Sequence, residues 1–288
     1  MLTVLERNRG TCQGRLVFVL LLCVSFLFGP AAAQTAIPNF APDPDTSWIP
    51  DRPTGDEFLP PPSGPGPVQS PADHPYVPNG QGRQTYRIAD VTNPILMPWV
   101  ADRLKTHNDD VRAGKVPFNA KERCWPPGVP AFQVFRRVEL VYFLQTPKEV
   151  LIIHEGDNQV RHVYLNVAHS SNLKPSWYGE SVGRYEGDEL VVDTIGQNDK
   201  TLIDNYGTPH TDKLHVVERF KMLDSGKTLQ VLITVDDPGA FTMPWSAIQR
   251  FSRVQNRGAL FGEPCAENNF NYFGYDLMPL PQDDTPDF

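Results

Sequence analysis

KLHVVERFKMLDSGKTLQVLITV, residues 213–235, decides the fold class of this chain. Two runs rich in β-branched residues flank the turn sequence DSGK, which is the pattern of a β-hairpin. Runs of the same kind lie upstream: VELVYFLQ, EVLIIHE, VRHVYLN and ELVVDTI. Strands separated by short turns favour an antiparallel sheet that closes into a barrel or folds into a sandwich. We therefore predict a mainly β domain.

A single helix is predicted ahead of the strands. The segment MPWVADRLKTHNDDVRAG, residues 97–114, carries a patchy apolar stripe. The stripe consists of Trp99, Val100, Leu104 and Val111. We expect this helix to accompany the sheet at its N-terminal side.

The preceding segment is rich in proline. From Pro38 to Pro78 there are 13 prolines in 41 residues. Proline lacks a backbone donor and interrupts helices and strands, so this composition predicts an extended arm or linker. Trp48 and Phe58 could dock it on the domain. We expect an arm over residues 34–83 and a single β-rich domain over residues 84–288.

The first 33 residues have the pattern of a secretory signal peptide. A region with three arginines precedes an uncharged apolar run, residues 16–29, and Ala31-Ala32-Ala33 fits the small-residue rule for cleavage. We predict cleavage before Gln34 and export to the periplasm or the extracellular space. No integral membrane segment would then be left, although an uncleaved N-terminal anchor is the alternative.

The net charge bears on the kind of partner the protein can bind, and the cysteines bear on disulfide formation. The formal net charge is −8, and signal cleavage would take it to about −10, which argues against nucleic acid as a partner. Cys12 and Cys23 would leave with the signal. Cys124 and Cys265 would remain, and in an oxidising compartment they predict one disulfide, with two unpaired cysteines as the alternative.

Glu218 is the most specific candidate for chemistry. In a strand over residues 213–220 it shares a face with Leu214, Val216 and Phe220. Apolar neighbours would favour its neutral form, which suits a proton donor or base. The alternative is a buried structural pair with an arginine. Three arginines are candidates for that pair: Arg161, Arg184 and Arg250.

Two further residues complete the catalytic hypothesis. His210, in the loop before the strand, could be the second proton carrier, and Asp193 or Arg184 could orient or stabilise charge. Asp193 could equally be a turn residue at the end of its strand. His154, His162, His169 and His210 have no compact metal-ligand spacing, so no metal site is predicted, and no organic cofactor motif is present.

A ligand would need an apolar pocket as well as polar groups. The residues predicted to line it are Arg184, Tyr185, Trp177, Phe220 and Trp245. The segment DDPGAFTMPW, residues 236–245, could cover the mouth of such a pocket. Packing in the core or at the rim is the alternative for the aromatic residues.

Four segments resemble, in order, a family of exported bacterial proteins of unassigned function: WYGESVGRYEGDELVVDT, PHTDKLHVVERF, VDDPGAFTMPW and PCAENN. The resemblance covers roughly residues 93–270 and implies an intact fold and export. It places Glu186, Asp193, His210, Glu218 and Arg219 inside the motifs. The chain departs from the family pattern at Tyr185, where a tryptophan is usual. It also departs at residues 166–168, which read NVA where an Asp-Gly-Arg turn is usual.

These observations favour an exported, soluble β-barrel, lipocalin-like in general shape, that binds a small, partly apolar molecule in its interior. Cofactor-independent proton transfer, by an isomerase, lyase or hydrolase, is the chemistry that Glu218 and His210 would suit. A non-catalytic module associated with the cell envelope is the alternative. The sequence leaves open whether the protein is an enzyme, which ligand it binds and its oligomeric state.

Overall fold

The protein folds mainly into β-strands, with one α-helix and two short 3-10 helices among the described residues. The computed structural model describes residues 37–51, 56–72, 77–78, 85–86, 88–115, 124–134 and 139–255, with the backbone alone for 77–78 and 85–86. The strands are β1 (Ser47–Pro50), β2 (Val77–Pro78), β3 (Thr85–Tyr86), β4 (Val141–Gln145), β5 (Glu149–His154), β6 (Gln159–Leu165), β7 (Glu180–Glu186), β8 (Glu189–Ile195), β9 (His215–Leu223), β10 (Thr228–Asp236) and β11 (Trp245–Val254). The α-helix is α1 (Pro98–Arg112), and short 3-10 helices span Ala131–Val134 and Asp224–Gly226.

Nine of these strands form a closed barrel in the order β1-β11-β10-β9-β8-β7-β6-β5-β4, in which β1 also pairs with β4. Strands β2 and β3 form a separate two-stranded sheet. Neighbouring barrel strands are antiparallel except β6 and β7, which are parallel. The prediction of a mainly β, barrel-type fold with one helix ahead of the main strands is confirmed, and the sandwich alternative is not adopted.

The hairpin of β9 and β10 follows the predicted pattern. Residues along β9 alternate between half-buried and buried from His215 to Phe220, so Val216, Glu218 and Phe220 face inward. The turn between the strands takes left-handed backbone conformations at Asp224, Ser225 and Gly226. This turn chemistry explains why the DSGK sequence marks the hairpin so clearly.

Aromatic side chains fill part of the barrel interior. The rings of Phe40 and Phe143 lie 5.0 Å apart, and Phe220 lies 6.5 Å from the first and 6.0 Å from the second. All three are buried. Their contacts make this interior a packed core, whose burial of apolar surface stabilises the fold.

Part of the predicted arm belongs to the barrel. Strand β1 closes the barrel by pairing with β11 and β4, and Trp48 is fully buried, with its indole N–H donating to the Phe40 carbonyl at 2.9 Å. Leu59 exchanges backbone hydrogen bonds with Ile248. We predicted that the folded domain begins near residue 84, but the barrel already includes β1. A four-residue strand between prolines carries too little pattern to be recognised, yet its tryptophan supplies a large buried surface.

The helix is as predicted, with one difference on its apolar face. Its buried residues are Val100, Leu104, Asn108 and Val111. Asn108 fixes the neighbouring chain by bonding both the N–H and the carbonyl of Ala89. Trp99 lies off the stripe and is 43% exposed, with its indole N–H donating to the Gly239 carbonyl. No helix among the described residues is long and apolar enough to span a membrane.

The parallel pairing of β6 and β7 shapes the outer surface. Only Val163, Tyr164 and Leu165 of β6 pair with β7. Parallel neighbours require a crossover connection, because the chain must return along the barrel before it enters the second strand. That connection, residues 166–179, lines a pocket beside β6 that is open to solvent.

Candidate ligand-binding site

The cavity between β6, β7 and their connection has a volume of about 370 Å³. We call it the β6–β7 pocket. Its lining residues are Val160, His162, Tyr164, Ser170, Asn172, Leu173, Lys174, Tyr178, Gly179, Glu180 and Ser181. The volume lies within the range of small-molecule sites. Six of the eleven lining residues are polar or charged, and the others include Val160, Leu173 and two tyrosines, so the pocket offers both polar and apolar contact.

Strand β6 supplies one wall because of its alternation. Arg161, Val163 and Leu165 are buried in the interior, whereas Val160, His162 and Tyr164 are exposed on the outer face. Tyr164 stacks on His162, with ring centroids 6.2 Å apart. These three consecutive outward positions give the pocket an aliphatic, an imidazole and a phenol group.

Tyr178 also lines the pocket. Its hydroxyl donates to Gln159 Oε1, and its ring contacts Phe132 edge-on at 5.9 Å. Burial raises the pKa of Tyr178 far above the usual tyrosine value, with nearby Arg161 lowering it in part. Tyr178 is therefore a neutral hydrogen-bonding group at any physiological pH.

His162 is oriented by a carboxylate. Its Nδ1 lies 2.5 Å from Glu149 Oε1, and the side chains are 53% and 28% exposed. A carboxylate only accepts, so the Nδ1–H is the donor, and in the neutral imidazole the lone pair then lies on Nε2. Among the described residues, none hydrogen-bonds to Nε2. Sequence reasoning had placed no role on Glu149.

A second group of imidazoles and carboxylates lies next to the pocket. Asp193 Oδ1 is 3.0 Å from both His169 Nε2 and His215 Nε2, and His169 Nδ1 is 3.0 Å from Glu180 Oε1. Glu180 also accepts from the Ser170 hydroxyl at 2.5 Å and its N–H at 2.7 Å. Hydrogen bonds from Ser170, with a smaller contribution from His169, hold the pKa of Glu180 below its usual range. Glu180 is thus an ionised acceptor.

Glu218 has a different environment in the barrel interior. Its Oε2 lies 2.5 Å from Arg161 Nη2, the two side chains are 0% and 1% exposed, and Gln133 donates to its Oε1 at 2.7 Å. Arg161 also donates to Ser181 and Thr194. This is the structural pair that the sequence left open as the alternative, and Arg161 is the partner. Ser181 connects this network to the floor of the β6–β7 pocket.

The other two predicted catalytic residues lie elsewhere. His210 is buried, with Nδ1 donating to the Thr211 carbonyl at 2.8 Å and Nε2 accepting from the Thr201 hydroxyl at 2.7 Å. Burial lowers the pKa of His210, so the neutral imidazole is favoured. In the described residues, no hydrogen bond joins His210 to Glu218 or Asp193.

Asp193 and Glu218 are separated by the barrel wall. In the β8–β9 register, Val192 pairs with Glu218 and Asp193 pairs with Val217. Because paired residues share a face, Glu218 points inward with Val192, and Asp193 points outward with Val217. The structure therefore does not bring Glu218 and Asp193 to one face of the sheet, and among the residues it describes His210 bonds to Thr201 and Thr211 instead of to either of them.

The five predicted ligand-binding residues do not converge either. Phe220 and Trp245 are buried, and the latter packs edge-on against Phe241 at 5.6 Å. Arg184 is exposed and forms an ion pair with Glu186. Trp177 and Tyr185 are half-buried, the former packing against Trp125 at 5.2 Å and the latter accepting a hydrogen bond from Gln145. These aromatic contacts match the packing alternative.

Two further sequence predictions concern the disulfide of Cys124 and the binding of a metal ion. Cys124 is disulfide-bonded. Its predicted partner Cys265 lies outside the described residues, so the pairing stays a prediction. The part of the chain that the structure describes contains no group of three or more His, Cys, Asp or Glu side chains that could hold a metal ion.

The fold and the pocket define a closed β-barrel protein with a cavity of ligand size on its outer face. No protein-family model, curated protein or solved structure matches this chain. The resemblance to a family of exported bacterial proteins therefore stays a prediction.

Proposed function

We propose that the protein binds a small, partly apolar molecule in the β6–β7 pocket. The observation that carries this proposal is the cavity of about 370 Å³ with its mixed lining. Val160, Leu173 and the two tyrosines offer apolar and aromatic contact. Lys174, Ser170 and Asn172 offer polar contact at the rim, which would fix the orientation of a ligand.

This proposal moves the ligand from the barrel interior, where the sequence analysis expected it, to the outer face. The packing of Phe40, Phe143 and Phe220 against one another supports that move. So does the complete burial of Glu218 against Arg161. An outer-face ligand would exchange with solvent without opening the barrel.

The test is a screen of small fragments by thermal stabilisation, followed by a blocking variant. Val160→Trp would fill the pocket from its β6 wall and abolish the stabilisation by any fragment bound there. Val167→Trp is the matched control, because Val167 is also an exposed valine, 55% against 38% for Val160, and does not line the pocket. A hit that survives Val160→Trp, or a screen without hits, would refute the proposal.

Export to the periplasm or the extracellular space is also part of this proposal. The N-terminal charge and hydropathy pattern supports it, and so does the disulfide at Cys124, because disulfides persist in oxidising compartments. The mass of the purified protein tests it. Cleavage before Gln34 should remove the first 33 residues, whereas a retained N-terminus would contradict a cleaved signal.

A non-catalytic module of the cell envelope is the second candidate. The Glu218–Arg161 pair favours it, because this carboxylate is committed to a buried ion pair instead of a site. Binding in the β6–β7 pocket is compatible with this second candidate, which adds association with the cell envelope and excludes chemistry.

A further inference from the structure

The β6–β7 pocket contains one imidazole that is both oriented and available. Glu149 accepts the Nδ1–H of His162, which fixes the tautomer with the lone pair on Nε2. His162 lines the pocket. A base that is held by a carboxylate and faces a site with apolar walls is the arrangement that general-base catalysis uses.

The other polar groups of the pocket are less available for proton transfer. Glu180 is occupied by Ser170 and His169, and its low pKa makes it a weak base. Tyr178 is neutral and donates to Gln159. Lys174 is exposed, and no side chain among the described residues pairs with it. It is therefore a cation that can approach negative charge on a ligand.

We propose that His162 is a general base that removes a proton from carbon in a small, partly apolar carbonyl compound bound in the β6–β7 pocket. Glu149 is the residue that positions it. This inference rests on the proposed function, since it needs a ligand in the same pocket. It deepens that function by naming a substrate class and a reaction.

The reaction is a proton shift that needs no co-reactant. His162 Nε2 takes a proton from the carbon beside the carbonyl, and the electron pair of the C–H bond moves to give an enolate. The Lys174 ammonium group stabilises the negative oxygen. In a substrate with a C=C bond between the carbons β and γ to the carbonyl, the enolate is conjugated, and the imidazolium then returns the proton to the γ carbon. The product is an isomer of the substrate, with no net change in atoms or electrons.

The test uses a nitrobenzisoxazole as the probe and the full chain as the catalyst. A base removes the ring C–H proton of this compound, a C≡N bond forms as the N–O bond breaks, and a coloured cyano-nitrophenolate is released. Binding is measured separately by calorimetry with nitroindole, which has a similar bicyclic shape and no N–O bond. Binding and proton removal are thereby read independently.

The matched control is the second outer-face imidazole. His215 pairs with Asp193, and the side chains are 41% and 30% exposed, close to the 53% and 28% of His162 and Glu149. His215 does not line the pocket. We expect His162→Gln to lower kcat/KM about a hundredfold or more, with a much smaller change in the affinity for nitroindole. His215→Gln should leave both quantities unchanged.

Glu149→Gln tests the positioning role. The amide oxygen can still accept the Nδ1–H, but the negative charge is lost. We expect kcat to fall about tenfold with KM unchanged. A residue that merely supported the strand would change stability or KM instead.

Three results would overturn the inference: no turnover by the wild-type chain above that of free imidazole, equal loss in the His162 and His215 variants, or no loss in either. If nitroindole binds and Val160→Trp blocks it while turnover is absent, the inference fails and the binding function stands. If neither binding nor turnover is found, the inference fails, and the fragment screen alone decides the proposed function.

Discussion

The barrel interior and the outer face at the β6–β7 pocket each contain a carboxylate that contacts a basic side chain. The interior pair is buried, and the outer pair is partly exposed. Inside, Glu218 is committed to Arg161 and Gln133 without contact with solvent. Outside, His162 and Glu149 form a pair that is partly exposed, and no described residue bonds to the second ring nitrogen of His162. The comparison shows that the buried carboxylate of Glu218 stabilises the fold. The groups that a ligand could reach lie on the outer face of the barrel, for example His162 on the outer face of β6.

The largest effect should come from breaking the interior pair. Arg161→Met leaves Glu218 buried and uncompensated, so we expect the free energy of unfolding to fall by about 3–5 kcal/mol. Urea unfolding measures this loss. The control is Arg184→Met, which removes an exposed ion pair with Glu186 and should change little. A loss in the Arg161 variant no larger than in the control would contradict the structural account of Glu218.

A double replacement sharpens the same comparison. In Arg161→Met combined with Glu218→Leu no buried charge is left unpaired. We expect this variant to be more stable than Arg161→Met alone by about 2 kcal/mol or more. The same urea titration applies. If the double variant were less stable than the single one, the loss would reflect packing around the arginine and not the unpaired carboxylate.

A buried carboxylate near the barrel end gives a pH-dependent effect. Burial raises the pKa of Asp204 from 3.8 to about 6, although hydrogen bonds from Thr208 and Tyr206 oppose the shift. The folded state then binds more protons than the unfolded state between these values. This contribution to stability is therefore lost as pH rises. Relative to Asp204→Asn, the wild type should lose about 2 kcal/mol between about pH 4 and about pH 7. A flat difference would contradict the shift.

Glu180 on the outer face should show the opposite sign. Its pKa is held low by hydrogen bonds, so its contribution is present at neutral pH and is lost as pH falls through the folded pKa. The stability of wild type relative to Glu180→Gln should therefore increase as pH rises from acid toward neutrality. Urea titrations at several pH values check this. A difference that decreased with pH would show that Glu180 is destabilised by burial, like Asp204.

The smallest effect is expected at the exposed imidazole beside the pocket. His215→Gln removes one of the two histidines that contact Asp193, and His169 keeps its contact. We expect a loss below about 1 kcal/mol at neutral pH, because solvent screens such pairs. Thermal unfolding is sufficient to detect a larger change. If His215→Gln lost as much free energy of unfolding as Arg161→Met, the claim that the interior pair stabilises the fold more than the outer-face pairs would be contradicted.

Much of the fold could be predicted from local pattern. The alternation of residues 213–220 correctly placed Glu218 on one face with Val216 and Phe220, because strand periodicity is a local property. The helix over Pro98–Arg112 followed from its apolar spacing. Strand β1 could not be recognised, because four residues between prolines carry almost no periodic signal.

The candidate site depended on pairings that local pattern does not contain. The sequence offered three arginines as ion-pair partners for Glu218, and only the three-dimensional structure shows that Arg161 is the partner. The β6–β7 pocket follows from the parallel pairing of two strands, which forces residues 166–179 across the outer face. One signal was available: in VRHVYLN the outward positions hold Val160, His162 and Tyr164, a mixed set on a surface face. The contact between Glu149 and His162 still required the β5–β6 register.

The most direct test of this account is to locate a bound fragment on the isotope-labelled protein by NMR. Ligand-induced shifts of the backbone amide signals should cluster at Val160, His162, Ser170 and Lys174, around the β6–β7 pocket. The signals of Glu218 and Phe220 should move little. Shifts centred on Glu218 and Phe220, with the outer face unaffected, would return the ligand to the barrel interior and contradict the account.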